Sequence, residues 1–320
     1  MSARKSSPSS RFTRARSLPR LPFVWRVATE AQAVGLRVHG PHVWAGNEKG
    51  EVLQLSLDGA LVRKTRVPAA VHCLAVDEAC VWAACVDGKI YDVTARVPKA
   101  RFDLGPQVKI AWIELHERRL FVSDEEGGLT LFDAEGLFVW ERRDERAKQG
   151  WMVRVDGDGI VHGSELGVRA LDGDGRLLAA SSPSLGDVRF GALFGDDIVV
   201  TAGWQRTRKS TLVVLARRAA RRRLALGLNP RGRHNGAESC AVGLVDGEAR
   251  VFASCGGELF CFALADGRPL WRAALPCGSA CNMELVGNAL FVASVAGIIA
   301  RIDVSDKALT DNGPHDQRDS

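Results

Sequence analysis

The sequence predicts an all-β fold in which short strands form seven similar sheets closed into a ring. Three observations lead to this prediction. A repeat near 40 residues runs through almost the whole chain, and each copy has strand patterns rather than helical ones. The two ends of the chain also supply complementary parts of a single copy. At 320 residues the chain is long enough for one large β domain with a sizeable core.

Each copy of the repeat has the same order: a short apolar strand, a turn with glycine, a second strand, and a turn of the Asp-Gly type. One apolar residue near the start of the first strand, here called the anchor residue, marks the equivalent position in every copy. The seven anchor residues are Trp44, Trp82, Phe121, Val161, Val199, Phe252 and Phe291. Their separations are 38, 39, 40, 38, 53 and 39 residues. A period of about 40–45 residues built from short strands is typical of the four-stranded blade of a β-propeller.

The pattern inside the copies favours strands over helices. The segment "EVLQLSL" places Val52, Leu53 and Leu55 among polar neighbours, without the spacing of three and four residues that a helix would show. Most copies also have an apolar strand before the anchor residue, as in "KIAWIELHERRLFVS". With the strand that follows the Asp-Gly turn, each copy therefore contains four strands.

The fourth strand of the last copy is missing at the C-terminal end. Trp140 and Trp271 mark the fourth strand of their copies, each 19 residues after its anchor residue. The corresponding place near residue 310 reads "DKALTDNGPHDQRDS", which is polar and rich in turn formers. The isolated segment "PFVWRV" (residues 22–27) has the required pattern instead. We therefore predict a seven-bladed β-propeller over residues 21–310, closed by its N-terminal strand, with disordered tails at 1–20 and 311–320.

Two segments carry a resemblance to a known repeat. "GLTLFDAEGLFVW" (residues 128–140) and "ELFCFALADGRPLW" (residues 258–271) resemble the repeat of pyrroloquinoline-quinone-type propellers, in which an Asp-to-Gly turn precedes a tryptophan on the outer strand. The chain resembles the non-catalytic members, including bacterial propellers used as assembly scaffolds. The calcium ligands and the aspartate base of catalytic quinoproteins have no counterpart here. WD-repeat (WD40) propellers are similar in geometry, but the Gly-His and Trp-Asp signatures of that family are absent from the sequence.

The positive charge is concentrated in the first 20 residues. They contain six basic residues and no acid, whereas the rest of the chain has 37 basic and 38 acidic residues. This stretch reads either as a solvated tail or as an arm that touches nucleic acid or an anionic surface. It lacks the apolar core of a secretory signal, and no apolar run approaches the roughly 20 residues of a membrane helix. We expect a cytoplasmic, monomeric ring with no membrane partner.

Motifs for chemistry are mostly missing from the sequence. There is no nucleophile elbow, no zinc-protease motif and no phosphate-binding glycine loop. The eight cysteines form no C-x-x-C pair, so we expect reduced, buried thiols. The "DGDG" runs at 156–159 and 172–175 read as hairpin turns, and His39 and His42 as part of a loop between blades. We therefore expect no catalytic residues, no metal site and no cofactor.

The 53-residue interval contains the best candidate for a binding site. We interpret it as two basic insertions, one with an aromatic residue, that would form one region of loops. Such a region suits an acidic protein partner, a nucleic acid, or simply a solvated surface. The candidate partner-binding residues are Trp204, Arg206, Arg208, Lys209, Arg217, Arg218, Arg221, Arg222, Arg223, Arg231 and Arg233.

These observations predict a non-enzymatic propeller that serves as a protein-interaction scaffold or as a subunit of a larger assembly. The first alternative is a cofactor-binding or catalytic quinoprotein-like propeller with a site in the central channel. The second alternative is a propeller associated with nucleic acid.

Overall fold

The structure is a computed structural model that describes residue 18 and residues 21–143, 146–147, 149–157, 159–202, 211–228 and 237–311. Within these residues, 28 strands form seven antiparallel sheets of four strands each. The seven-bladed β-propeller predicted from the repeat is therefore confirmed. Both predicted tails fall almost entirely outside the described residues.

Blades are numbered along the chain, and each runs from an inner strand beside the central channel to an outer strand at the rim. Blade one consists of β2 (Ala33–His39), β3 (His42–Asn47), β4 (Glu51–Ser56) and β5 (Leu61–Arg66). Blade two consists of β6 (Val71–Val76), β7 (Val81–Cys85), β8 (Lys89–Asp92) and β9 (Lys99–Asp103). Blade three consists of β10 (Ile110–His116), β11 (Arg119–Asp124), β12 (Gly128–Phe132) and β13 (Phe138–Arg143). Blade four consists of β14 (Gly150–Asp156), β15 (Gly159–Ser164), β16 (Gly167–Leu171) and β17 (Leu177–Ala180). Blade five consists of β18 (Val188–Phe194), β19 (Asp197–Ala202), β20 (Thr211–Ala216) and β21 (Arg221–Gly227). Blade six consists of β22 (Ala237–Val245), β23 (Glu248–Cys255), β24 (Glu258–Ala263) and β25 (Pro269–Ala274). Blade seven consists of β26 (Ala280–Val286), β27 (Ala289–Ser294), β28 (Ile298–Asp303) and β1 (Phe23–Ala28). A 3-10 turn, Pro183–Leu185, precedes β18, and a short helix, α1 (Asp306–Asp311), follows β28.

The ring is built from sequential contacts between inner strands. Each inner strand packs against the next one along the chain, and β26 packs against β2 to complete the circle. Every anchor residue lies in the second strand of its blade, as the repeat predicts. Buried apolar side chains from neighbouring blades form shared clusters, so the core lies between the sheets rather than within each one.

The N-terminal strand closes the ring. β1 pairs antiparallel with β28, with Trp25 opposite Arg301 and Val27 opposite Ile299. Trp25 packs on the anchor residue Phe291 at 6.1 Å between ring centroids. Blade seven therefore takes its outer strand from the other end of the chain, and the predicted closure is confirmed.

The ring of Trp25 also reaches the next blade. Its Nε1 donates a hydrogen bond of 2.9 Å to the carbonyl of Leu57, in the turn between β4 and β5. Gly59 in that turn has φ +88°, and a Cβ atom there would lie 2.6 Å from the indole. A residue without a side chain is required at this turn because the tryptophan of the preceding blade lies directly against it.

After blade seven the chain forms α1 instead of another strand. Asp306 at the start of α1 accepts two hydrogen bonds of 2.7 Å from the guanidinium of the buried Arg250 in β23. The end of the described chain is thereby fastened to blade six, and the polar segment contributes no outer strand.

Removing β1 should open the ring. We expect deletion of residues 1–27 to lower the melting temperature far more than deletion of residues 1–19, since the first removes most of β1 including Trp25. Trp25→Ala should lower the free energy of unfolding by about 2 kcal/mol because the indole is partly buried at two contacts. The control Val24→Ala, at an exposed bulge position, should stay within about 0.5 kcal/mol. Equal melting of the two truncations would contradict closure by β1.

Candidate functional site

Seven residues in the same register of the inner strands form a ring around the channel. Each is the cross-strand partner of its blade's anchor residue, and four of the seven are charged. In blade order they are Arg37, Ala75, Glu114, Arg154, Ala192, Ala241 and Glu284. Six of them lie seven residues before the anchor residue, a spacing that could have located this channel ring from the sequence.

The four charges of the channel ring bind one another. Arg37 contacts Glu114 at 3.2 Å and Glu284 at 3.3 Å, and Arg154 contacts Glu114 at 3.1 Å. Burial alone would lower the pKa of Arg37, but the two carboxylates beside it raise that pKa. The ring has no net charge, since two arginines face two glutamates.

An indole lies beneath this ion-pair network. The guanidinium groups of Arg37 and Arg154 both lie over the indole of Trp112, with their Cζ atoms 5.1 Å and 4.8 Å from the ring centroid. Its Nε1 donates to Glu114 at 3.2 Å. The remaining cavity at the ring has a volume of about 130 Å³. Typical small-molecule sites occupy about 300–1,000 Å³, so the ring fastens the inner strands together and leaves little room for a cofactor.

A buried serine and histidine come together between blades three and four. His162 Nε2 lies 2.9 Å from the Ser123 hydroxyl, and Arg169 donates to Nδ1 at 2.8 Å. A guanidinium can only donate, so Nδ1 accepts and Nε2–H donates to Ser123. Burial and the neighbouring Arg169 lower the pKa of His162 to about 3. The imidazole therefore has the wrong polarity to withdraw a proton from the serine, and the pair acts as a link between blades.

The structure divides the predicted basic region. Trp204, Arg206, Arg208, Lys209, Arg231 and Arg233 lie outside the described residues. Arg217 and Arg218 belong to the tight turn between β20 and β21, and Arg221, Arg222 and Arg223 start β21. The prediction that "RRAARRR" is an insertion is wrong, because it is the regular turn and outer strand of blade five.

The arginines of blade five have different surroundings. Arg217 is buried and forms an ion pair with Asp156 of blade four, and its backbone N–H donates to Asp196 at 2.8 Å. Arg223 pairs with Asp197 at 2.5 Å. Arg218, Arg221 and Arg222 are exposed. Those three remain the described candidates for contact with a partner, whereas Arg217 holds two blades together.

The structure also locates the cysteines, the "DGDG" turns and the two neighbouring histidines that the sequence analysis identified. All eight cysteines are free and six are buried, as expected from the sequence. Burial raises the pKa of Cys73 to about 12, which leaves its thiol protonated and unreactive. The "DGDG" run at 172–175 lies at a hairpin turn, as predicted, and Asp172 accepts from the backbone of Asp174 and Arg176. Of the other run, residue 158 lies outside the described residues, and Asp156 pairs with Gly159 across the hairpin of β14 and β15. His39 and His42 face each other across the hairpin of β2 and β3, so the prediction of a loop between blades is wrong.

The described residues contain no cluster of three or more His, Cys, Asp or Glu side chains that could hold a metal ion. No helix in the described part of the chain has the length and apolar character needed to cross a bilayer.

The geometry defines a class of protein, a seven-bladed β-propeller with a charge-compensated channel. Neither a family model nor a curated protein sequence matches the chain. Solved structures do: the WD40 β-propeller domain of Doa1 is similar with a TM-score of 0.71 and 11% identity, over 89% of this chain and 98% of that one. The computationally designed protein Ika8 is similar with a TM-score of 0.63 and 12% identity, over 86% of this chain and 97% of that one. At such identities the likeness shows a shared β-propeller fold and nothing further.

The two arginines of the β20–β21 turn give a matched test of these roles. Arg217→Ser should lower the free energy of unfolding by about 1 kcal/mol, since it removes an ion pair whose acid is half exposed. Arg218→Ser should change it by less than about 0.5 kcal/mol because that side chain is exposed. Urea unfolding measures both values. Equal effects would contradict the division of the basic region.

The lowered pKa of His162 predicts sensitivity to acid. The folded state holds His162 neutral down to a pKa of about 3, while the unfolded chain takes up a proton near 6.5. Stability from this residue is complete above pH 6.5 and falls between 6.5 and 3, by about 1.4 kcal/mol per pH unit. His162→Asn should flatten the urea midpoint against pH in that window, whereas the control His39→Asn should keep the slope. An unchanged slope in His162→Asn would refute the assignment.

Proposed function

We propose that the protein is a non-enzymatic scaffold that binds another protein through the outer strands of its propeller. One observation carries the proposal: a run of exposed apolar residues on blade three. Leu137, Phe138 and Val139 are 65%, 62% and 48% exposed. Such a run on an edge strand favours aggregation unless a partner covers it, so its presence indicates an interaction surface.

The neighbouring blade extends the apolar rim. Leu177 and Leu178 on β17 are 59% and 57% exposed. Trp140 on β13 donates to the carbonyl of Gly173 in the turn that leads to β17, so the two outer strands belong to adjacent blades. Exposed apolar and aromatic side chains of this kind are typical of the centre of protein interfaces.

The interior supports the same proposal over the cofactor alternative. The charges of the channel ring are paired with one another, and the cavity beside them is small. The nucleic-acid alternative would depend on a basic surface, and the described residues of blade five include four exposed arginines, one of which, Arg223, forms an ion pair with Asp197. The apolar rim does not attract a phosphate backbone, and the proposal therefore favours a protein.

The apolar rim can be tested with matched variants. The full chain is used as bait in an extract of its native cell, and each captured protein is then purified and its affinity for the full chain measured. Phe138→Ser should weaken a true partner at least about tenfold, because it removes an aromatic contact. The control Val295→Ser, exposed at the turn between β27 and β28, should bind like the unchanged protein.

Three results would contradict this function. The first is a bound chromophore or substrate turnover in the purified protein, with no partner sensitive to Phe138→Ser. The second is equal binding by both variants. The third is affinity for a random DNA duplex that falls steeply with salt and depends on Arg218, Arg221 and Arg222, which would favour the nucleic-acid alternative.

A further inference from the structure

In each blade a row of cross-strand partners begins at the anchor residue and runs outward to the rim. In six blades the row passes through one residue of the third strand and ends on the outer strand. Its outer members are Arg63 in blade one, Trp140 in blade three, Ala179 in blade four, Leu224 in blade five, Trp271 in blade six and Trp25 in blade seven. In blade two the register of the outer strand is shifted, and it is Phe102 that packs on the anchor residue Trp82, with 5.4 Å between the ring centroids. We call these seven residues the seam residues.

The large seam residues fill the space between one blade and the next. Trp140 donates to the carbonyl of Gly173 in blade four, and a Cβ atom on Gly175 would lie 3.1 Å from its ring. Arg63 stacks on Trp44 and donates to the carbonyls of Val93 and Thr94 in blade two. Trp25 makes the same kind of contact with blade one. Trp140, Arg63 and Trp25 therefore each touch the turn before the outer strand of the following blade, and Arg63 and Trp25 also stack on their own anchor residues.

Blade four is the exception among the described blades. Its row consists of Val161, Ala170 and Ala179, so no side chain in it is larger than valine. A cleft of about 280 Å³ opens beside this row, between blades four and five. Val161 and Ala170 both line it, which places the cleft over the anchor residue, where an indole lies in three other blades.

The lining of the cleft combines an apolar floor with a basic rim. Ile160, Leu171 and Leu178 contribute apolar surface, and Arg217 and Arg218 stand on the side of blade five. Asp156 neutralises Arg217, whereas Arg218 is exposed. The carboxylate of Asp172, also at the cleft, already accepts two backbone N–H groups of its own turn. Arg221 and Arg222 add exposed positive charge at the start of the adjoining outer strand.

We propose that this cleft binds an acidic segment of a partner protein that inserts a large aromatic side chain. The other seams show which shape fits, since tryptophan occupies the equivalent space three times. The exposed Arg218 at the cleft, with Arg221 and Arg222 on the adjoining outer strand, selects acidic neighbours of that side chain through charge complementarity. The inference rests on the proposed scaffold function and names one of its contact sites.

The probe is a short fluorescent synthetic peptide with one central tryptophan and acidic residues on both sides. Its binding to the full chain is measured by fluorescence polarisation. Two matched peptides carry alanine in place of tryptophan, or lysine in place of every acid. We expect the first peptide to bind and each matched peptide to bind at least about tenfold more weakly.

Variants of the protein test the same geometry. Ala179→Trp supplies the missing seam side chain, so it should reduce peptide affinity at least about tenfold while holding or raising the melting temperature. Ala179→Ser leaves the cleft open and should bind normally. Arg218→Glu, which does not touch the core, should weaken binding about tenfold and reduce its salt dependence, so the test stands even if Ala179→Trp fails to fold.

Several outcomes would overturn the proposal. They are equal binding of all three peptides, full binding by folded Ala179→Trp, or a dimer of the unchanged chain that Ala179→Trp dissociates, which would make a second copy the occupant. Any of these results would refute binding at the cleft. If a partner is still sensitive to Phe138→Ser, the scaffold function stands without the cleft. If no partner is sensitive to Phe138→Ser either, the scaffold function is refuted as well.

Discussion

The stability of the ring depends on the contact between an outer-strand side chain and the following blade. Each sheet of a propeller packs between two neighbours and meets each of them across a wedge-shaped gap, which widens toward the rim. Inner strands can close the narrow end with backbone and small residues, but the wide end needs volume. Tryptophan, phenylalanine, leucine or the stem of arginine supplies it, and the neighbouring turn accommodates the side chain with a glycine, as at Gly59 and Gly175. The Asp-Gly turns of the repeat are therefore part of the packing between blades as well as hairpin signals.

The same requirement explains why the two chain ends meet. Blade seven lacks an outer strand of its own, and without β1 its seam residue would be missing along with the pairing partner of β28. β1 supplies both at once. Closure therefore contributes hydrogen bonds at the edge strand and apolar volume at the seam, and Trp25 contributes to both contacts.

Charge is arranged differently at the centre and at the rim. In the channel, two arginines and two glutamates satisfy one another around Trp112, which suits a buried position where an unpaired charge would be costly. At the rim of blades three to five, apolar side chains and arginines are exposed instead. The paired charges of the channel thus hold the inner strands together, and the exposed groups at the rim are those that the proposed partner would contact.

Much of the fold could be predicted from the sequence because it repeats. The anchor spacing located the second strand of every blade, and the place of Trp140 and Trp271 identified the closing role of Trp25. The site was harder. A run of arginines in the sequence indicates positive charge but does not indicate which of them form ion pairs. The sequence therefore does not distinguish Arg217, which pairs with Asp156 of another blade, from its neighbour Arg218. The cleft arises from a side chain that is small, and Ala179 stands out only when the rows of all blades are aligned by register.

The central claim is that a large seam residue fastens each blade to the next and that blade four lacks one. Hydrogen–deuterium exchange of the full chain, followed by mass spectrometry, tests it most directly. Amides of β17 should exchange faster than those of β13 and β25, whose strands carry Trp140 and Trp271. Protection of β17 equal to that of β13 and β25 would contradict the account.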